Sequence, residues 1–263
     1  MGQDTKRMAW IGLIGLASGG AVAHESITTD RPGLVESSTV VGEGHTQVEA
    51  SVALNRETEG SPRNRTYSTP TLIRYGISDR LELRLEADGL MQSTQWDGGV
   101  KSIDRGTSDL SFGIKWRMPT PAEGESGPST AWLLHVDAPT GTKPFHGQGM
   151  RPSVRYVAEW DFDEWSVGMM PGIYVEHNDA NKRYVGSIFA VTVGKELTDQ
   201  LRTFVEFAGQ QLTSPKNGGN VVVIDTGLTY LLSDRVQLDC AFSKGISHAA
   251  PRQVLEVGWS MRF

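Results

Sequence analysis

Apolar and polar residues alternate one by one along most of the chain after Gly44. The last nine residues show it plainly. Leu255, Val257, Trp259, Met261 and Phe263 are apolar, while Glu256, Gly258, Ser260 and Arg262 between them are polar or small. Successive side chains on a strand point to opposite faces, so such a run is a strand with one greasy and one wet face. Eleven earlier runs share the habit. They begin with Val48, Ala50, Val52 and Leu54, continue through Thr66 to Ile77, Leu81 to Leu90 and Ser108 to Met118, and go on to Ala131 to Ala138 and Arg151 to Trp160. Trp165 to Val175, Tyr184 to Lys195, Leu201 to Gln210, Val221 to Leu231 and Val236 to Ser243 complete the set. In Tyr184 to Lys195 both faces are largely apolar, which leaves its boundaries the least defined.

The connections alternate as well. Gly76 to Arg80, Asp161 to Glu164, Leu197 to Gln200 and Leu232 to Arg235 are tight, and their Ser-Asp and Thr-Asp pairs suit turns because those side chains bond local backbone. Between them lie longer polar stretches: Glu57 to Arg65, Met91 to Thr107, Pro139 to Met150, His177 to Arg183, Leu212 to Asn220 and Gly245 to Pro251. Pro119 to Ser129 is a long connection on the short side. Tyr75, Trp116, Trp132, Trp160, Trp165, Tyr230 and Phe263 gather near the short turns, as an interfacial girdle would, with Tyr67 and Tyr184 as a thin opposite one. An even count of roughly ten-residue strands, short turns on one side and long loops on the other, predicts an all-β, transmembrane antiparallel β-barrel of about twelve strands. The turns would be periplasmic and the loops extracellular. A secreted soluble β-sandwich binding protein is the competing fold.

Composition agrees. Mean hydropathy of −0.31 disfavours helical membrane spans but not a barrel, in which only every second strand residue is apolar. Met1 to Ala23 has a positive start (Lys6, Arg7), an apolar core from Ala9 to Ala17 and the small-x-small end Ala21-Val22-Ala23, which reads as a secretory signal peptide cleaved near Ala23. The net charge is −6; setting aside Asp4, Lys6 and Arg7 (net +1) leaves −7 for the remainder. There is no basic patch or nucleic-acid motif, so nucleic acid is not an expected partner. The single cysteine, Cys240, excludes an intrachain disulfide framework and a Cys-rich metal site. No cofactor or metal is expected. Residues 24–43 carry no strand period and form either a solvated leader or a lumen plug, with Asp30, Arg31 and Glu36 paired to lumen charges.

On the barrel register the lumen face is rich in charge of both signs. Arg74, Arg84, Lys115, Arg117, His135, Arg151, Arg155 and Glu159 are the candidates for the solute path. A twelve-stranded barrel is narrow beside open porins of 16–18 strands, so mutual neutralisation in a filled interior competes with a solute-orienting, weakly anion-preferring channel. Catalysis is the remaining class. His135 has Asp137 on its own face but no identified serine partner, so an outer-membrane lipid hydrolase is a minor alternative and no catalytic residue is assigned.

Several short motifs, in order, carry a resemblance. They are Thr29-Asp30-Arg31-Pro32 with Glu36, Thr69-Pro70 followed by Arg74-Tyr75-Gly76-Ile77, Leu81-Glu82-Leu83-Arg84, Ser108-Asp109-Leu110 with Gly113 and Lys115, and Pro139-Thr140-Gly141. The chain resembles the Gram-negative outer-membrane β-barrel family associated with the meta-pathway of phenol degradation, whose members are described as transporters. The resemblance implies passage of small organic molecules across the outer membrane. Expected partners are outer-membrane lipid, the small-molecule solute and the barrel-assembly machinery. The last would read Trp259, Met261 and Phe263 of the final strand.

Overall fold

In the computed structural model, which describes residues 26–57, 63–119, 127–178 and 180–263, fifteen strand segments form one antiparallel sheet closed on itself. The signal-peptide reading of Met1 to Ala23 lies outside the described residues, as does most of the connection after Pro119. The first segments are β1 (Thr46–Glu57), β2 (Arg63–Ser68), β3 (Thr71–Ser78), β4 (Leu81–Ala87), β5 (Leu90–Asp97), β6 (Val100–Thr107) and β7 (Leu110–Arg117). Then follow β8 (Ser129–Ala138), β9 (Arg151–Phe162), β10 (Trp165–His177), β11 (Arg183–Glu196) and β12 (Leu201–Leu212). The last are β13 (Val221–Ser233), β14 (Val236–Gly245) and β15 (Gln253–Arg262). β2 and β3 both pair with β1, β5 prolongs β4, and β6 runs on into β7, so the barrel has twelve staves. β15 closes it against β1, from Gln47 opposite Arg262 to Arg56 opposite Gln253.

Three staves break at one level, at Thr69-Pro70, Asp88-Gly89 and Ser108-Asp109. Pro70 has no N–H to give a ladder, and side chains take over part of the bonding there. The Ser108 hydroxyl accepts the Gly89 N–H at 3.0 Å, and the Thr69 hydroxyl accepts that of Leu90 at 2.9 Å. A strand crosses the bilayer in about 9–11 residues, and the tenth residue counted from Leu81 is Leu90. The breaks therefore mark the outer membrane boundary, and β5 and β6 stand beyond it as a hairpin. The sequence pattern made Met91 to Thr107 a loop. The hairpin escapes a period-2 reading because Gln92, Ser93 and Gln95 face Arg105, Asp104 and Ser102, polar on both sides. Its turn was legible, for Gly98 and Gly99 take the two positive φ angles, 53° and 84°, that a tight hairpin requires.

Outside, the wall is apolar. Trp116, Trp132, Trp165, Tyr230, Trp259 and Phe263 are exposed near the short-turn end, as a girdle would be. Tyr184 departs from the expected outer girdle. It shares the inner face of β11 with buried Ile188 and stacks edge-on against Tyr174 with ring centroids 6.3 Å apart. The reason is that β11 is apolar on both faces, so alternation could not say which one meets lipid. Inside, the two halves of the wall differ. Leu133, Val157, Met170 and Ile188 form one buried apolar cluster and Ala190, Ala208 and Val223 another, and Leu34 and Val35 pack on both. The opposite half presents ions.

Candidate functional site: the lumen and its N-terminal segment

Residues 26–44 run through the barrel interior, and its carboxylates hold them by their backbone. Glu206 on β12 accepts the N–H groups of Leu34 and Val35 at 2.7 and 2.8 Å. Glu49 on β1 accepts those of Asp30 and Arg31, Glu159 on β9 that of Ser38, and Glu82 on β4 that of Val41. A segment without secondary structure has no backbone partners of its own, and inside a barrel it must find them on the wall. Charged acceptors make each such bond worth roughly 1.5–3 kcal/mol.

Asp30 is the centre of the ionic half. The Lys115 ammonium donates to both its oxygens at 2.8 and 2.7 Å, and the Arg84 guanidinium to one at 2.6 Å. Arg74 lies 3.4 Å away and spans Glu49 and Glu82 at 3.0 and 2.9 Å. Glu36 joins from the same segment, 2.7 Å from Arg84 and 3.0 Å from Arg155. Arg74, Arg84, Lys115 and Arg155 thus face Asp30, Glu36, Glu49 and Glu82, and the formal charges cancel. Arg31 turns to the other side of the lumen and pairs with Glu256, with Asp239 at 3.7 Å.

Of the lumen candidates, Arg74, Arg84, Lys115, Arg155, Glu159 and His135 meet around the segment, together with Asp30, Arg31 and Glu36. His135 is buried, its Nε2 accepting from Arg84 Nε at 3.1 Å. Two candidates lie apart. Arg151 sits at the outer mouth, 2.8 Å from Asp109 and 3.1 Å from Glu176. Arg117 lies on the inward face of β7 near its short-turn end, opposite Ala131. Trp259 and Met261 belong to β15, and Phe263 bonds Thr46 through its backbone N–H at 2.8 Å, extending the seam. The basic side chains of the wall are met residue by residue, because the N-terminal segment brings Asp30 and Glu36 to them. Alternation puts Glu49, Glu82 and Glu206 on the inner face but holds no hint of their role, since a carboxylate that grips another segment's amides leaves no motif.

Three cavities lie in series along the lumen. The outermost, about 470 Å³, is lined by Glu86, Asp88, Asp109, Asp137, Glu176, Arg151 and Arg155, with Met91 and Phe145 as apolar contacts. It shares Glu86, Asp88 and Arg155 with a middle cavity of about 110 Å³. An inner cavity of about 180 Å³ reaches Ser166, Arg202 and Gln237 near the short turns. Asp30, Arg31 and Gly33 line both the middle and the inner cavity and separate them.

A family model described as "Putative MetA-pathway of phenol degradation" matches residues 29–263. No curated protein sequence matches the chain. Among solved structures, the COG4313 outer membrane channel from Pseudomonas putida F1 is similar over 89% of this chain and 99% of its own, with a TM-score of 0.62 at 11% identity. The KdgM porin, solved with disordered oligogalacturonate, matches over 82% and 99% with a TM-score of 0.52 at 10% identity. The translocator domain of the autotransporter NalP from Neisseria meningitidis gives 0.50 at 12% identity over 84% and 89%. At these identities the likeness is one of fold, that of the outer-membrane barrel. With the family model covering nearly all of its barrel and lumen segment, this chain belongs to the outer-membrane family of the putative MetA pathway of phenol degradation.

Proposed function

We propose that this chain is a narrow outer-membrane channel for small organic solutes, obstructed at mid-lumen by residues 26–44. The series of three cavities, with Asp30, Arg31 and Gly33 lining both the middle and the inner one, carries the reading. The family description associates its members with phenol breakdown, and Met91 and Phe145 give an aromatic ring apolar contact in the outer cavity. Charge at the mouth favours neutral or cationic solutes over anions. Five carboxylates line it against two arginines, and Arg155 is already engaged by Glu36. Export with cleavage near Ala23 accompanies this reading.

A hydrolase has little geometry to rest on. Ser153 is opposite His135 in the β8–β9 register, but the Arg84 guanidinium donates to Nε2, where a general base would need a free lone pair. The channel reading is tested by reconstituting the purified protein in planar bilayers across a potassium chloride gradient. Discrete openings with a cation-selective reversal potential, weakened in Glu86→Gln/Asp88→Asn, are expected. Absence of openings, or anion selectivity unmoved by that variant, contradicts it.

A further inference from the structure

Beyond the strand breaks, the end of β1 with β2, β5 and β6 forms an extension whose outward face the channel does not use. Register fixes the rows of that face. Leu54, Tyr67, Gln92 and Arg105 lie side by side nearest the membrane; Arg56, Arg65, Thr94 and Ile103 come next; Arg63, Trp96 and Lys101 are outermost. The sequence shows no basic run, yet pairing gathers Arg56, Arg63, Arg65, Lys101 and Arg105 on one face with no carboxylate in its rows. Among the described residues none of the five forms an ion pair. Arg65 and Lys101 lie over the Trp96 ring at 5.7 and 5.9 Å, and Arg105 Nε donates to Gln92 at 2.8 Å. Arg56 and Arg65 are direct cross-strand partners, and like charges set opposite each other weaken a sheet unless something neutralises them.

Two concavities occupy this face. One, about 410 Å³, is rimmed by Arg56, Arg63, Arg65, Trp96 and the Gly98-Gly99 turn. The other, about 540 Å³ and toward the membrane, is lined by Val52, Tyr67 and Leu90, all exposed, with Arg105 at its outer end. By the strand count above Leu90 stands at the outer edge of the bilayer, so the apolar groove lies at the boundary of the acyl region and the basic hollow just outside it, at headgroup level. We propose that this face binds one molecule of the phosphorylated glycolipid of the outer leaflet, an acyl chain in the Val52–Tyr67–Leu90 groove and a phosphate on Arg56, Arg63 and Arg65. Guanidinium groups suit phosphate because they donate in a fixed fork, and basic residues at a membrane surface draw anionic headgroups. The site is independent of whether the lumen conducts.

The test uses the purified full chain in non-ionic detergent, with lipid A carrying two phosphates, the same lipid dephosphorylated, and inorganic phosphate as probes, read by native mass spectrometry. Folding of every variant is checked by its heat-dependent shift on gels. The wild type is expected to retain one phosphorylated lipid A, and Arg56→Gln/Arg63→Gln/Arg65→Gln to bind it about a hundredfold more weakly. A matched charge loss elsewhere, Arg80→Gln/Arg183→Gln/Lys216→Gln, should leave binding unchanged. Val52→Glu, which places a charge in the groove, should weaken lipid A as well. Equal binding of the dephosphorylated lipid, equal loss in the two triple variants, indifference to Val52→Glu, or full displacement by millimolar inorganic phosphate would each overturn the proposal.

Discussion

Replacing Asp30 by asparagine removes one charge from a buried set in which four cations face four anions. The shape is kept, and an amide oxygen can still accept the Ser37 N–H that Asp30 holds at 2.9 Å. What goes is the counter-charge of Lys115, Arg84 and Arg74, at 2.7, 2.6 and 3.4 Å. Removing one member of a buried ion pair costs about 3–5 kcal/mol, because the partners stay buried and unpaired. They belong to the wall, so they cannot leave; the N-terminal segment can. The docked state therefore loses about 3–5 kcal/mol against the undocked one, a shift of roughly a hundredfold to a few thousandfold in their ratio. Single-channel recording of Asp30→Asn should show excursions to a larger conductance matching that of a chain lacking residues 26–43, and the segment should become cleavable by protease in folded barrels. Wild-type conductance and wild-type protease resistance in Asp30→Asn, beside a deletion that does open, would refute the claim that this cluster anchors the segment.

Other expectations follow from the same geometry. Glu206→Ala strips the Leu34 and Val35 amides of their acceptor and should loosen the segment, and Glu206→Gln, which keeps one oxygen, should do so less; protease susceptibility ranks them. Asp109, at the outer mouth, holds the 139–150 loop through the N–H groups of Gly141 and Gly147 and through Arg151. Burial would raise its carboxyl, but those two amides and Arg151 hold it below the ordinary aspartate value. A lowered folded value means that the contribution is fully present above the ordinary aspartate value and lost only as pH falls through the lower one. Loop protection against protease should thus persist from neutral pH to about pH 4 and fail in more acid solution, whereas Asp109→Asn should be unprotected at neutral pH. Deleting Phe263 should reduce membrane insertion more than the stability of the detergent-solubilised barrel, measured as outer-membrane abundance against heat-modified gel mobility; normal abundance would count against an assembly role for that residue.

The twelve staves were legible because their outer faces meet lipid and their inner faces do not, and a period of two records that contrast directly. β11 shows where the rule weakens, since its lumen-facing Ile188 and Ala190 are apolar too and are covered by Leu34 and Val35. The β5–β6 hairpin left no period because polar residues occupy both of its faces. The signs of the lumen charges were legible too, but not their pairing: Arg74, Arg84 and Lys115 could be placed inside, while Asp30 is about 40 to 85 residues away in sequence and meets them only in the closed barrel. The grip of Glu49, Glu82, Glu159 and Glu206 on backbone amides was beyond any residue pattern, because the donor is a group that nearly every residue carries.

The central claim is that residues 26–44 set the bore of this barrel. Its most direct test is single-channel conductance of the chain from residue 24 onward and of the same chain lacking residues 26–43, in one bilayer and one salt. The account requires a small, cation-preferring conductance in the first and one several-fold larger in the second. Equal conductances from two folded barrels would contradict it.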